Sequence, residues 1–263
     1  MPDTPGSVHG APCWVALMTR DLEGAQEFYA RALGWEYRPG FRDHEKGYQL
    51  ALADGQPVAG LGMSSQGKGG FAPSWTAFFR AENANVMASR IQERGGTVAV
   101  GPLAFGTGRV LWAADRQDAR FGVWEGEPVR GWWVRRQPGA PARLQLRTGD
   151  AFGAAMFYGS VFAWDTHAPD RLSVRFEADH VVVSVDGHHV ADLWGGAVEE
   201  APDPTIRPQW HVYFCVDDVD EVATRADAAG GSIVTPPAMS HFGRVASLRD
   251  AEGALFHVTS EHG

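Results

Sequence analysis

An α+β chain built from four βαβββ modules is what this sequence predicts, and two observations carry the prediction. The chain is an internal duplication, and each half repeats one order of strand and helix patterns twice. DLEGAQEFYARALGW from Asp21 returns as DAFGAAMFYGSVFAW from Asp150, so that Asp21, Phe28, Tyr29 and Trp35 fall on Asp150, Phe157, Tyr158 and Trp164. A second register carries Trp75, Phe78, Gly95, Gly96, Pro102, Gly108, Arg109, Val110 and Asp115 onto Trp210, Tyr213, Gly230, Gly231, Pro237, Gly243, Arg244, Val245 and Asp250. Only Phe78 and Tyr213 differ within that set. A register held from Trp75 to Asp115 is a duplication rather than a coincidence.

The elements follow in order. The apolar run WVALMTR from Trp14 reads as a first strand. Asp21 caps a helix whose apolar spacing runs from Leu22 to Leu33, with Phe28 and Leu33 on the inward face. YQLALADGQPVAGL is a hairpin turning at Asp54–Gly55, a pair that accepts the positive φ of a two-residue turn. WTAFFRA opens the second module, a helix spans Ala84 to Arg94 and stops at Gly95–Gly96, and TVAVGP, GRVLWAAD and ARFGVWEG are three strand-like runs. The second half repeats this order, with the hairpin VVVSVDGHHVADL turning at Asp186–Gly187. The expected domains are a flexible lead over 1–11, a first two-module domain over 12–126, a Pro-, Gly- and Arg-rich linker over 127–141 and a second two-module domain over 142–261.

Composition narrows the function classes. The 263 residues are 44% hydrophobic and 21% charged, which suits a globular core. A net charge of −9 argues against a nucleic-acid or anionic-membrane surface. No apolar run is long enough to span a bilayer and the N-terminus has no signal-peptide pattern, so the expectation is a cytoplasmic protein. Two cysteines, Cys13 and Cys215, make no disulfide framework. G-x-S-x-G, H-E-x-x-H and C-x-x-C are absent from the sequence, so nucleophilic-hydrolase and zinc-protease readings have no support. The loop MSSQGKGGF lacks phosphate-binding spacing, and no nucleotide cofactor is expected. Ten tryptophans hint at large apolar or aromatic-lined surfaces.

Four such modules, with a D-L-x-x-A-x-x-F-Y helix and a closing D-x-x-G-A-x-F strand, resemble the vicinal oxygen chelate superfamily of glyoxalases, bleomycin-resistance proteins and extradiol dioxygenases. The most specific stretch is WHVYFCVDDVD from Trp210, followed by Gly230–Gly231, Gly243–Arg244 and DAEGALF from Asp250. The resemblance covers Ala11 to Ser260 and is nearest to two-domain actinobacterial glyoxalase-like proteins, often labelled hydroxylases. It implies modules paired into two cup-shaped glyoxalase-like domains with the site inside. It does not fix the chemistry.

The resemblance also implies where metal ligands stand, on the first and last strand of each module. In the first half these positions hold Trp14, Gly60, Thr76 and Gly122, no useful ligand set. In the second half they hold Arg143, Asp192, His211 and His257. Two imidazoles and a carboxylate suit Fe2+, and also Mn2+, Co2+, Ni2+ or Zn2+. The expected metal ligands are therefore Asp192, His211 and His257. Arginine stays protonated and cannot ligate, so Arg143 is expected to clamp a substrate anion. The open alternative is that Arg143 pairs with Asp192 while both histidines line a polar pocket.

Tyr213 shares a face with His211 and is expected to contact substrate or to pack. His241, in a loop before Gly243–Arg244, is the candidate general acid or base, against a surface-loop reading. Trp14 and Thr76 are candidate substrate contacts in the first half. His188 and His189 read as solvated hairpin residues, and Cys215 as core. The leading expectation is an enzyme acting on a small oxygenated metabolite through a divalent metal. The competing one is a metal-free binder of an antibiotic or aromatic metabolite. A third is an interaction module with collapsed cups. A monomer or homodimer suits all three.

Overall fold

The computed structural model describes residues 5–40, 47–64, 72–177, 179–195, 207–240 and 243–260. The first module is β1 (Pro12–Thr19), α1 (Leu22–Leu33), β2 (Glu36–Pro39), β3 (Tyr48–Ala53) and β4 (Gln56–Met63). The second is β5 (Ser74–Ala81), α2 (Ala84–Glu93), β6 (Thr97–Phe105), β7 (Gly108–Ala114) and β8 (Arg120–Glu125). The third is β9 (Pro141–Arg147), α3 (Ala151–Phe162), β10 (Leu172–Phe176), β11 (His180–Val185) and β12 (His188–Trp194). The fourth is β13 (Gln209–Cys215), α4 (Val219–Ala228), β14 (Ser232–Ser240), β15 (Gly243–Arg249) and β16 (Leu255–Ser260). In each module the first strand lies parallel to the last, and the other three form an antiparallel meander. The orders β2-β3-β4-β1, β6-β7-β8-β5, β10-β11-β12-β9 and β14-β15-β16-β13 make up two eight-stranded sheets. The α+β class and its four βαβββ modules are therefore present.

Local chemistry explains the helix boundaries. Asp21 Oδ1 accepts from the Gly24 N–H at 3.0 Å, and its repeat Asp150 accepts from Gly153 at 2.8 Å. Both satisfy a donor that the first helical turn leaves open. Along α1 the buried stripe is Leu22, Ala25, Phe28, Tyr29 and Ala32. Leu33, expected inward, is only half-buried because it lies at the edge of that stripe in the last turn.

The chain separates into two compact units, and each takes one module from each half of the duplication. One contains Met1–Trp14, Thr76–Trp133 and Arg143–Trp210; the other contains Val15–Trp75, Val134–Ala142 and His211–Gly263. Each has the same buried relay. In the second unit Trp75 Nε1 donates to Tyr29 Oη at 2.9 Å, and that hydroxyl donates to Asp250 Oδ2 at 3.0 Å. In the first, Trp210 Nε1 donates to Tyr158 Oη at 2.9 Å, which donates to Asp115 Oδ2 at 3.1 Å. The other oxygen of each aspartate accepts two backbone N–H groups from its own turn. Polar groups buried this deeply persist because each finds a partner. Burial raises both carboxyls above their ordinary value and holds both phenols well above theirs. Trp75 and Trp210 thus pack on helix tyrosines.

Two segments read from composition as flexible or connecting are packed. Gly6 and Val8 to Ala11 are buried. The Gly10 N–H donates to Arg80 O at 2.8 Å, and Gly10 O accepts from Trp164 Nε1 at 2.9 Å. The edge of β5 supplies backbone partners that composition does not reveal. In the stretch expected as linker, Trp132 is 1% exposed and Val134 3%. Trp35 Nε1 donates to Gly139 O at 2.9 Å, and Cys215 exchanges backbone hydrogen bonds with Gly139 and Ala140.

Gly10 adopts φ +78°, and a Cβ there would lie 2.9 Å from Phe162 Cβ and Trp164 Cδ1. Gly10→Ala is therefore expected to destabilise by about 1–3 kcal/mol, through left-handed strain and overpacking together. Urea unfolding checks this, and an unchanged midpoint would contradict the packing described. Among the described residues, no helix is long and apolar enough to cross a membrane.

Candidate functional site

The two histidines singled out by the sequence meet within one compact unit. β13 and β16 run parallel with Tyr213 opposite His257, and His211 shares the Tyr213 face two residues earlier. His211 Nδ1 lies 2.6 Å from His257 Nε2. On the other side of His257, Nδ1 is 2.9 Å from Ser247 Oγ, because β15 places Ser247 opposite His257. The Tyr213 ring stacks on His257 at 4.5 Å. His211, Tyr213 and His257 are all buried. Two neutral tautomers satisfy this chain, with protons directed either from Ser247 toward His211 or the reverse. Ser247–His257–His211 is therefore a hydrogen-bonded chain that brings the two ring nitrogens together.

Arg143 and Asp192 belong to the other unit. β9 and β12 run parallel, pairing Leu144 with Ala191 and Gln145 with Asp192. Arg143 Nε is 3.5 Å from Asp192 Oδ2, with both side chains buried. The pair that the sequence offered as an alternative is thus formed. A second group joins it, since His189 Nε2 is 2.6 Å from Asp192 Oδ1. His189 is exposed, as its hairpin position suggests, yet it is not merely solvated. In a regular strand, residues three apart point to opposite faces. Here Val183 pairs with Ala191 and Ser184 with His189, so Val190 is the extra residue of a bulge. The bulge returns His189 and Asp192 to one side.

The first-half positions hold no ligands. Trp14 is buried with its ring 5.8 Å from Trp132, and Thr76 is buried on β5. The Phe78 ring lies 2.2 Å from where a Cβ on Gly122 would stand, so it occupies that ligand place itself. Cys13 is buried and its thiol, which donates to Phe78 O, is pushed up to about 12 by desolvation, leaving it unreactive. Cys215 is buried and forms no disulfide among the described residues. His241 lies outside the described residues.

One group was not visible from sequence. His9, Glu82 and His167 bring ligand atoms within 4.8 Å of one another. His167 Nε2 is 3.1 Å from Glu82 Oε1, which with charge holds that carboxyl below its ordinary value. Burial, then the neighbouring His167, push His9 down to about 4. These residues belong to three separate stretches of one unit, and no local motif connects them.

Comparison with known proteins places this arrangement. A family model described as a glyoxalase-like domain matches residues 143–259. CFP32 of Mycobacterium tuberculosis (strain CDC 1551 / Oshkosh), which carries a glyoxylase name, is 30% identical over 253 residues, covering 95% of this chain and 94% of its own. The anthracycline biosynthesis protein DnrV of Streptomyces peucetius is 31% identical over 264 residues, covering 95% and 92%. Among solved structures, the Mn(II)-bound glyoxalase of Novosphingobium aromaticivorans superposes with a TM-score of 0.60 at 17% identity, over 96% of this chain and 82% of that one. That identity speaks for the fold alone. With its four βαβββ modules and these full-length relatives, the chain belongs to the glyoxalase-like proteins of the vicinal oxygen chelate superfamily.

Proposed function

We propose that the protein is a vicinal-oxygen-chelate enzyme acting on a small oxygenated metabolite, with the buried His211–His257 pair at its chemical centre. The observation that carries this reading is the 2.6 Å approach of the two ring nitrogens. Converging imidazoles serve proton transfer and also fit a divalent metal of the Fe2+, Mn2+, Co2+, Ni2+ or Zn2+ type. Such a metal, when bound, would supply Lewis-acid polarisation of adjacent substrate oxygens. Asp192, the third ligand expected from the resemblance, belongs to the other unit. Its carboxylate is engaged there by Arg143 and His189.

The remaining roles belong to this chain's own groups. Ser247, bonded to His257 Nδ1, orients the ring so that Nε2 faces His211, the usual task of a group behind a ligating or basic histidine. Tyr213, stacked on His257, restrains ring rotation and is the candidate substrate contact. Arg143 offers a fixed positive charge for an anionic substrate group. His241 remains the candidate acid or base on sequence grounds.

A second reading, a metal-free binder of an aromatic or antibiotic-like molecule, is favoured by one observation: the buried Arg143–Asp192 pair withholds the carboxylate from a metal. The name of DnrV, an anthracycline biosynthesis protein, agrees with a small-molecule ligand under either reading. Metal content by plasma mass spectrometry, on tag-free protein purified anaerobically, separates them. The expected result is near-stoichiometric divalent metal that His257→Ala loses. Equal metal content in wild type and His257→Ala would remove the metal from the first reading and leave the second.

A further inference from the structure

We infer that His9, Glu82 and His167 form a divalent-cation site of their own, suited to Zn2+ or a similar borderline metal. All three lie in the unit that contains β5, α2 and α3, and none occupies a position that the family resemblance assigns to a ligand. Their ligand atoms already lie within 4.8 Å of one another. Around a tetrahedral zinc with bonds of about 2.1 Å, ligand atoms stand about 3.4 Å apart, so the closure required is small. The rings of His9 and His167 are 4.2 Å apart between centroids, tilted by 40°.

The donors are of the right kind. His9 Nδ1 accepts the Glu82 backbone N–H at 3.3 Å, so this nitrogen carries a lone pair rather than a proton. That hydrogen bond is long, and a metal would compete for the same lone pair. His167 Nε2 already faces Glu82 Oε1 at 3.1 Å. A cation inserted between them would replace a proton in that contact. Two imidazoles and one carboxylate leave a fourth position, open to water because Glu82 and His167 are exposed. The guanidiniums of Arg80 and Arg90 also act on His9 and oppose a cation, which keeps the affinity below that of an all-buried site.

Hydrogen bonds frame the cluster. Gly10 is held by Arg80 O and Trp164 Nε1, and Ala11 O accepts the Arg80 N–H. The His167 N–H donates to Ala163 O just past the end of α3. A metal there would tie the segment before β1 to the β5–α2 corner and to the turn after α3, acting as a staple on the unfolded-to-folded equilibrium.

The test is Zn2+ titration by calorimetry, and Co2+ titration by visible absorption, on chelator-stripped tag-free full-length protein. Wild type is compared with His167→Ala, Glu82→Gln and His257→Ala. Both His167 and Glu82 are exposed, so their replacement leaves the core intact, and circular dichroism confirms it. The expected result is a Zn2+ equivalent weakened at least ten-fold by His167→Ala and by Glu82→Gln but retained in His257→Ala. A Zn2+-induced rise in melting temperature should follow the same pattern. If His167→Ala and Glu82→Gln bind Zn2+ with wild-type stoichiometry and affinity, the cluster is an exposed ion pair and the inference is overturned. Loss of a different equivalent in His257→Ala concerns only the His211–His257 pair, so the two proposals fail independently.

Discussion

Replacing Asp250 by alanine is expected to lower the unfolding free energy by about 3 kcal/mol, and Asp115→Ala by a similar amount. Asp250 accepts from Tyr29 Oη and from the backbone N–H groups of Glu252 and Ala254. Removing it leaves these donors in or beside the core without an acceptor, and the Tyr29 hydroxyl also holds Trp75. Asp250→Asn retains an acceptor for the turn and should cost less, about 1 kcal/mol. The relay also predicts a pH dependence. Burial raises the Asp250 carboxyl above its ordinary value. Between the unfolded and the raised folded pKa, the folded state therefore binds more protons than the unfolded one. Stability from this group falls as pH rises through that window, and Asp250→Ala should lack that slope. Urea unfolding across acidic pH checks both statements, and an unchanged midpoint in the alanine variant would contradict the relay.

Trp132→Ala is expected to cost about 3–5 kcal/mol, the range for emptying a large buried aromatic site. Trp132 is only 1% exposed and meets the ring of Trp14 at 5.8 Å. Its neighbour Trp133 is partly exposed and touches the exposed His188 edge-on. Trp133→Ala should stay within about 1 kcal/mol, as exposed positions do. Thermal and urea unfolding of the two variants side by side distinguish a core segment from a solvated linker. Equal, small losses would restore the linker reading of 127–141.

Much of the fold was legible because it is locally encoded. The Asp21 cap and the 3.6-residue spacing mark α1, Asp54–Gly55 and Asp186–Gly187 mark hairpins, and the two registers of identity mark the duplication. Each signal acts over a few residues, where backbone preference and periodicity decide the outcome. His211 and His257 were singled out through the family resemblance, which assigns ligand positions to the first and last strand of each module. Their register then set Tyr213 against His257.

What lay beyond the sequence is whatever depends on distant partners or on one extra residue. The bulge at Val190 shifts strand phase by a single position, enough to bring His189 to Asp192 beside Arg143. Its energy is a balance of packing around the hairpin, and no residue type announces it. The lead segment looks flexible by composition, yet Arg80 and Trp164 offer it hydrogen bonds that only the folded chain supplies. The tyrosine and aspartate of each relay were visible as repeats, but Tyr29 pairs with Asp250 and Tyr158 with Asp115. By itself the sequence determined the modules and their order, since local periodicity encodes these, and the family resemblance marked the two imidazole positions. Only the tertiary structure decided which helix serves which turn, and that His9, Glu82 and His167 meet, because such contacts follow from chain topology and carry no local signature.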